Sequence, residues 1–425
     1  MKDDWIKQAN RITNISKSLR KAYYRENEEA DSYFSTPSGG VSGNGEQYDM
    51  VGSIGAWPEF IMRGTFCCRT FKGYCSPCFY SQFSIKNKAV GNKYREMIKE
   101  QYSYVINHFD EEVYRRQYGW KYLNDPENRK IEFVLTPTGS YFDGNEFPQD
   151  LRIQMLQGIC KASENYEEPV HLMVESHCED WLALDFNDEN TKQEISLLQQ
   201  LNATVLFGFE SADEYIRNVL YNKHLAMDDV IRTYKLIKKN KLRMGVFVFA
   251  GLFSMNDYLT YDDVTASLEF AISRDIVPVI MFQNIQTNTI NEILFRNNMS
   301  SLIEPFTVMD IISRMIELCE KYDKKSGWLI ADPKGGPPAP EFNIFDCAAL
   351  TPTEYSEKIY EAVVNIRKSR DFIKFQETAS KIRQTYAYKD FLTSCRNLYK
   401  RDELETKTSE LLDCAERILK DRGYT

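Results

Sequence analysis

Between residues 131 and 282 the sequence repeats a short apolar run of β-forming residues followed by an amphipathic helical stretch. The apolar runs are 131–136, 170–175, 203–209, 245–252 and 277–282. Strands that are apolar along their whole length are typical of a parallel sheet that helices cover. The repeat therefore predicts an α/β fold, either a full or partial parallel barrel or a doubly wound sheet. In both folds, ligands bind at the carboxyl ends of the strands.

The rest of the chain is organised differently. Residues 1–54 predict a charged helical segment, with apolar residues too sparse to form a core, followed by a turn-rich linker. Residues 55–300 contain the repeat and predict the barrel. Residues 301–425 predict a mainly helical C-terminal extension that includes a Pro- and Gly-rich loop at 332–340.

The overall charge and apolar content limit the possible partners. A net charge of -9 and a pI near 5.3 argue against broad electrostatic binding to nucleic acid. No run of eighteen apolar residues is present, and the N-terminus lacks the apolar core of a secretory signal. We therefore expect a cytoplasmic protein with no membrane partner. In such a protein, ten cysteines indicate metal binding or catalysis before disulfides.

Four of the ten cysteines lie between Cys67 and Cys78. Cys75 and Cys78 have the spacing that lets two sulfurs reach one metal or cluster, and Cys67 or Cys68 can add a third. Structural zinc sites generally need a second such pair, which is absent, and adjacent cysteines rarely bind one metal together. A zinc site using both Cys67 and Cys68 is therefore the alternative. We favour a [4Fe–4S] cluster with three cysteine ligands and one iron that has no protein ligand.

With these cysteines, several segments make the chain resemble the radical S-adenosylmethionine (SAM) superfamily over roughly 60–295. They are the Gly-containing turn at 136–143, the GlyPheGluSer segment at 208–216, the LeuTyrAsnLysHis segment at 220–224 and the apolar strand at 247–252. The wide cysteine spacing is most similar to the Elongator-type and archaeosine-synthase group. The resemblance implies a partial (β/α)6 TIM-like barrel of parallel strands. It also implies a [4Fe–4S] cluster and SAM as cofactors.

The resemblance assigns the cluster to Cys68, Cys75 and Cys78, with Cys67 as the alternative to Cys68. It implies that SAM is held by residues at the ends of the strands. These residues are Gly139, Ser140, Glu175, Glu210, Ser211, Lys223, Asn284 and Gln286. Lys223 would pair with the SAM carboxylate in a charge-assisted bond.

The other SAM-binding positions divide by the part of the cofactor they would contact. Gly139 and Ser140 would lie against the methionyl end. The two glutamates and Ser211 would contact the ribose or the amino group, and the residues after the sixth strand would face adenine or substrate. One departure stands out: Ser140 and Tyr141 follow Gly139 where the superfamily usually has an acidic residue.

The resemblance implies an enzyme that reductively cleaves SAM to a 5′-deoxyadenosyl radical and abstracts hydrogen from a substrate. The acidic charge favours a small-molecule or peptide substrate, whereas the archaeosine-synthase group suggests a tRNA base. A reducing partner such as flavodoxin or ferredoxin would supply the electron. The alternative from a different class is a zinc-stabilised α/β binding protein, which would not need Gly139, Glu210 and Lys223 at strand ends.

Overall fold

The computed structural model describes residues 2–26, 59–62, 69, 72–78, 95, 96, 99, 103, 131–137, 139–167, 169–324, 329–331, 333, 334, 342–369 and 371–424. The predicted boundary at 54 and 55, and most of the loop at 332–340, lie outside these residues. So do the predicted cluster ligand Cys68 and its alternative, Cys67.

In the described residues, the centre of the fold is a parallel sheet of seven strands that pair in the order in which they follow one another along the chain. The strands are β1 (Glu59–Met62), β2 (Ile131–Pro137), β3 (Val170–Ser176), β4 (Thr204–Glu210), β5 (Arg243–Ala250), β6 (Val277–Phe282) and β8 (Leu329–Ile330). The five longer strands, β2 to β6, curl into a half-barrel. The predicted α/β partial barrel with parallel strands is confirmed, and β8 adds one short strand to the six expected.

Helices accompany the sheet, and those between successive strands pack on its outer face. They are α1 (Asp3–Glu26), α2 (Gln149–Ser163), α3 (Cys178–Leu182), α4 (Glu189–Gln200), α5 (Met227–Lys239), α6 (Asp257–Ser273), α7 (Ile290–Arg296), α8 (Pro305–Lys321), α9 (Thr353–Ser369), α10 (Phe372–Arg383), α11 (Tyr386–Arg396) and α12 (Leu404–Asp421). The last five lie within residues 301–425, where a mainly helical C-terminal region is expected. Of the helices in the described ranges, none combines the length and apolar character that a bilayer crossing needs.

The two faces of the sheet bury different clusters. A small cluster of strand residues alone includes Val134, Met173, Leu206 and Val279, and it marks the inner face of the half-barrel. The larger cluster joins the alternate strand residues to helix residues, as Val246 is joined to Leu268 of α6. Because side chains alternate along a strand, a residue two or four positions from a member of the small cluster also faces the barrel interior.

Helix α1 packs on the body of the protein through a continuous apolar face. Ile12, Ile15 and Leu19 are no more than 2% exposed and join a cluster with α12 and with a single π-helical turn, Ile216–Leu220. The expectation that this segment lacks core-forming residues is therefore wrong. Its apolar stripe is narrow, but the spacing at i, i+3 and i+7 gives one complete helical face.

Candidate cofactor site at the carboxyl ends of the strands

Cys75 and Cys78 lie in one tight turn. The Cys78 amide donates to the Cys75 carbonyl at 2.9 Å, and both side chains are half-buried. Gly73 begins this loop with φ +76, and a Cβ on it would lie 2.6 Å from the Thr13 carbonyl oxygen. The loop therefore needs glycine at 73, and it places Cys75 and Cys78 in the same turn.

The cysteine loop is fastened to the segment that follows β4. The Cys75 amide donates to the Asn222 carbonyl at 3.2 Å, and the Ser76 amide donates to the Tyr221 carbonyl at 3.1 Å. The Ser76 hydroxyl donates to the Leu220 carbonyl. These bonds place the two thiols beside the chain that leaves the carboxyl end of β4, the position where ligands bind in such folds.

Lys223 and Glu210 form a largely buried ion pair at this end of the sheet. The Lys223 Nζ lies 2.8 Å from Glu210 Oε1, and the side chains are 11% and 13% exposed. Burial lowers the pKa of Lys223, but electrostatic attraction to Cys75 and to the Glu210 carboxylate outweighs it and raises the pKa overall. Lys223 therefore stays a cation beside Cys75. A Cβ on Gly208 would lie 2.5 Å from Nζ, so the glycine makes room for the ammonium.

The backbone around this pair is unusual. The β4–β5 pairing shifts register between Gly208 and Glu210, and Glu210 has φ 67. Cys75, Asn222 and His224 also have positive φ, at 55, 54 and 51. Non-glycine residues seldom adopt this left-handed conformation, and such strain concentrates at functional sites. Four strained residues thus meet where the cysteine loop joins the end of β4.

Arg69, the residue after Cys68, is buried in the same site. Its guanidinium donates to the Lys223 carbonyl and pairs with Glu179 of α3. This contact ties the start of the cysteine segment to the Lys223 loop. In the described part of the chain, no three His, Cys, Asp or Glu side chains gather as a metal-ligand set.

The turn after β2 supplies an acidic group that its motif lacks. The Ser140 amide donates to the carboxylate of Glu146, which is fully buried. A Cβ on Gly139 would overlap the same carboxylate. Glu146 therefore lies against the turn where the superfamily pattern leads one to expect an acid. Sequence reasoning missed it because the intervening loop folds back across six positions, and nothing in the motif signals that return.

Two other predicted residues lie at the ends of β2 and β3. The Ser140 hydroxyl lies 2.7 Å from the Ser176 hydroxyl and accepts from the His177 amide at 3.1 Å, so it joins the two strand ends. Glu175 is half-buried and lies two positions after Met173, so it is on the inner face of the half-barrel. Its carbonyl accepts from the Tyr141 amide at 2.8 Å.

The structure separates Ser211 from the other predicted SAM ligands. Its hydroxyl donates to Asp263 of α6, and both residues are buried behind the sheet. Burial raises the pKa of Asp263 to about 7, opposed by the Ser211 hydrogen bond and assisted by the charge of Asp213. Ser211 therefore contacts the helical layer and is not brought together with Glu210 and Lys223.

Three amides follow β6. Asn284 pairs with Asn343 in a two-stranded antiparallel ribbon of β7 (Asn284–Ile285) and β9 (Phe342–Asn343). The Gln286 carbonyl accepts from Thr289, the cap of α7, at 2.7 Å. Both predicted residues thus lie beyond the end of the strand. Because β6 is two strands from β4 in the sheet, the end of β6 is about 10 Å from the end of β4, where Glu210 lies.

Gln283 is the amide that sequence reasoning missed. It is fully buried, and neither its amide oxygen nor its amide nitrogen has a hydrogen-bond partner in the described residues. It continues the parity of Val279 and Met281, which face the barrel interior. A Cβ on Gly251 would lie 2.6 Å from its Oε1. Counting alternate residues from Val279 is the signal that would have selected Gln283.

No family model matches this chain. An uncharacterized protein of Methanocaldococcus jannaschii, MJ0550, is 25% identical over 226 residues, which are 52% of this chain and 55% of that protein. The chain therefore spans about half the length of this relative.

Two solved proteins are also similar. Elp3 of the archaeon Methanocaldococcus infernus aligns over 50% of each chain at 15% identity, with a TM-score of 0.34. The radical S-adenosylmethionine methyltransferase TsrM of Kitasatospora setae, bound to cobalamin and a [4Fe–4S] cluster, aligns over 53% of this chain and 34% of its own, at 14% identity and a TM-score of 0.28. Similarity this low fixes no function.

Proposed function

We propose that this chain is an enzyme that binds a [4Fe–4S] cluster through Cys68, Cys75 and Cys78 and binds SAM beside that cluster. One observation carries the proposal. The turn with Cys75 and Cys78 lies beside the buried Lys223–Glu210 pair, at the carboxyl end of a parallel half-barrel. A structural zinc site would need the thiols but not this charged pair.

The residues present fit both cofactors. Thiolates are the usual ligands of iron–sulfur clusters, and the described site offers two of them in one turn. An ammonium has three N–H donors, and the bond to Glu210 uses one of those on Lys223. Lys223 can therefore also bind a carboxylate such as that of SAM, in a site where burial strengthens the interaction.

When bound, the cluster would supply the electron that cleaves the sulfonium of SAM. The chain's own residues would orient the cofactor. Lys223 would neutralise the carboxylate of the methionyl end, and Glu210 and Glu175 would accept hydrogen bonds from the ribose or the amino group. The apolar inner face, with Leu206 and Met173, would exclude water from the reacting atoms.

We favour a small-molecule or peptide substrate and a flavodoxin- or ferredoxin-type reductant. The net charge of -9 supports this substrate class, because phosphate backbones bind basic surfaces. A titration with bulk tRNA at low salt tests the other class. Binding that weakens steeply with added salt would favour the tRNA-modifying alternative.

The decisive experiment is anaerobic reconstitution with iron and sulfide, followed by reduction with dithionite and addition of SAM. We expect a brown protein that forms 5′-deoxyadenosine. Cys75→Ala and Cys78→Ala should lose both the colour and the product. Cys160→Ala is the matched control, because this half-buried cysteine lies near the C-terminal end of α2, which leads to the amino end of β3.

Two outcomes of that experiment decide between the alternatives. A colourless protein that retains zinc and forms no 5′-deoxyadenosine would overturn the proposal and favour the zinc-stabilised binding protein. If iron is bound, Cys67→Ala and Cys68→Ala made separately identify the third ligand. We expect iron loss only from Cys68→Ala.

A further inference from the structure

Helix α1 reaches the cysteine loop through a buried arginine. Arg20 is 5% exposed, and its Nη2 donates to the carbonyl oxygens of Tyr74 at 2.9 Å and Cys75 at 3.1 Å. Both acceptors belong to the turn that contains the thiols. An arginine near the N-terminus thus holds the main chain of a residue more than fifty positions away.

A second contact joins the same helix to the same loop. The Asn222 side-chain amide donates to the Thr13 hydroxyl at 2.9 Å and to the Gly73 carbonyl at 3.0 Å. Gly73 itself packs on α1, since an added Cβ would lie 2.6 Å from the Thr13 carbonyl oxygen and 2.9 Å from Lys17. The loop therefore lies between α1 on one side and the segment after β4 on the other.

The segment after β4 bonds to the amide of Cys75, and α1 bonds to the carbonyl of the same residue, whose backbone is strained. Cys75 has φ 55, a conformation that residues with a Cβ rarely adopt. Its amide donates to the Asn222 carbonyl, and its carbonyl accepts from Arg20. Such strain persists only where the surroundings over-determine the conformation. At Cys75 these surroundings are Asn222 and Arg20, together with the Cys78 amide within the turn.

Helix α1 is itself fixed, so it can act as a support. Gln8 donates to the Glu405 carbonyl at 2.8 Å and to the Ser409 hydroxyl at 2.6 Å, and it accepts from the Tyr215 hydroxyl at 2.7 Å. The apolar face of α1 is buried against α12 and the π-helical turn. The position of Arg20 is thereby set by contacts that do not involve the cysteine loop.

We propose that α1 is part of the cofactor site, and that Arg20 is a positioning residue that holds Cys75 in the conformation from which its thiol binds the cluster. The role of the held thiol rests on the function proposed above. The contacts of Arg20 and Thr13 with the cysteine loop and Asn222, which we call the clamp, do not require iron. The two claims can therefore be tested separately.

The first measurement uses iron-free, full-length protein. Arg20→Met should raise the rates of Cys75 alkylation and of amide hydrogen exchange at residues 73–78 about tenfold, the change expected from losing a hydrogen bond to a charged donor. Arg11→Met is the matched control on the same helix. Arg11 pairs with Asp413 and Glu416 in a solvent-accessible contact, and its loss should leave both rates unchanged.

The second measurement follows reconstitution. Arg20→Met should bind less than half the iron of the unmodified chain and show an altered electron paramagnetic resonance spectrum, whereas Arg11→Met should match the unmodified chain. If the unmodified chain binds no cluster, the proposed function fails, and the iron-free rates still decide whether the clamp exists. If the chain binds its cluster and Arg20→Met binds equally well, the positioning role fails alone.

Two results would overturn the clamp itself: unchanged exchange at 73–78 in Arg20→Met, or equal acceleration in Arg20→Met and Arg11→Met. Protection of β5 amides shows whether each variant is folded. If Arg20→Met loses that protection, Thr13→Val decides, because it removes only the hydroxyl that accepts from Asn222. Faster exchange at 73–78 with β5 protected supports the clamp, and unchanged exchange overturns it.

Discussion

The Lys223 ammonium lies 2.8 Å from the Glu210 carboxylate, and the two residues come from a loop and a strand end 13 positions apart. Both side chains are mostly buried, so each charge compensates the other. Removal of one partner would leave an uncompensated charge in a site of low dielectric constant, which is far more costly than losing an exposed pair. This relationship makes the site both a stability determinant and a candidate ligand site.

Glu210→Gln should lower the free energy of unfolding by about 2–3 kcal/mol, slightly below the cost for a fully buried pair. Glu210→Gly removes the same charge but relieves the positive φ, so its loss should be smaller by about 1 kcal/mol. Urea unfolding at pH 7 measures both. Glu214→Gln is the control, because Glu214 is exposed. Equal stability of Glu210→Gln and Glu214→Gln would contradict the prediction.

Gly208→Ala should impair function more than stability. Its Cβ would lie 2.5 Å from Lys223 Nζ and 3.0 Å from Glu210 Oε1, so the flexible end of Lys223 must move. We expect about a tenfold loss of 5′-deoxyadenosine formation, in the range that a small misplacement of a positioning group causes. Gly144→Ala is the control, because nothing lies within 4 Å of its added Cβ. Full activity of Gly208→Ala would show that the ammonium position is unimportant.

Gln283→Leu should stabilise the ligand-free protein and weaken ligand binding. A buried amide without partners costs about 1–3 kcal/mol, and leucine of similar size removes that cost. Thermal unfolding without ligand and SAM binding by the reconstituted protein measure the two effects. Gln286→Leu, at a half-buried position, should change neither. If Gln286→Leu weakens SAM binding and Gln283→Leu does not, the role belongs to Gln286, as the sequence predicts.

Asp263 should make the protein less stable as the pH rises from about 4 to 7. Burial is the main reason that its pKa is about 7 in the folded protein, against 3.8 as the ordinary value. The folded state therefore keeps a proton that the unfolded state releases, and stability present below pH 4 is lost as the pH rises through 7. A three-unit shift corresponds to about 4 kcal/mol.

Urea unfolding between pH 4 and 8 tests this assignment. The free energy of unfolding of Asp263→Asn should depend less on pH than that of the unmodified chain. Asp257, whose pKa burial raises to about 6, keeps part of the slope in both proteins. The exposed neighbour Asp262 provides the control substitution, Asp262→Asn, which should retain the full slope. Identical slopes in Asp263→Asn and Asp262→Asn would contradict the raised pKa.

The parallel sheet could be predicted because burial on both faces leaves an unmistakable apolar pattern. The run at 277–282 coincides with β6, and the run at 203–209 is displaced by one residue from β4. Glu210 was predictable as a strand-end carboxylate, and Lys223 through its motif. The structure then brought these two together with Cys75.

Other parts of the site depend on geometry that a linear pattern does not contain. The extra residue between Gly208 and Glu210 shifts the register of β4 on β5, and beyond this shift Ser211 meets α6 while Glu210 meets Lys223. Glu146 reaches its turn only because the loop closes on itself. The expectation for α1 is wrong because its apolar residues are few in number but spaced so that they form one helical face.

The docking of α1 has a consequence for biosynthesis. Gln8 bonds to the backbone of Glu405, which lies 397 positions later in the chain. A ribosome makes α1 first and α12 some 400 residues afterwards, so the surface that receives α1 is incomplete during most of translation. Until α12 has emerged, α1 lacks part of the surface that fixes it, although the π-helical turn that also contacts α1 is already made. If the proposed cluster is bound, we therefore expect nascent chains that stop before Leu404 to load less iron than the full chain.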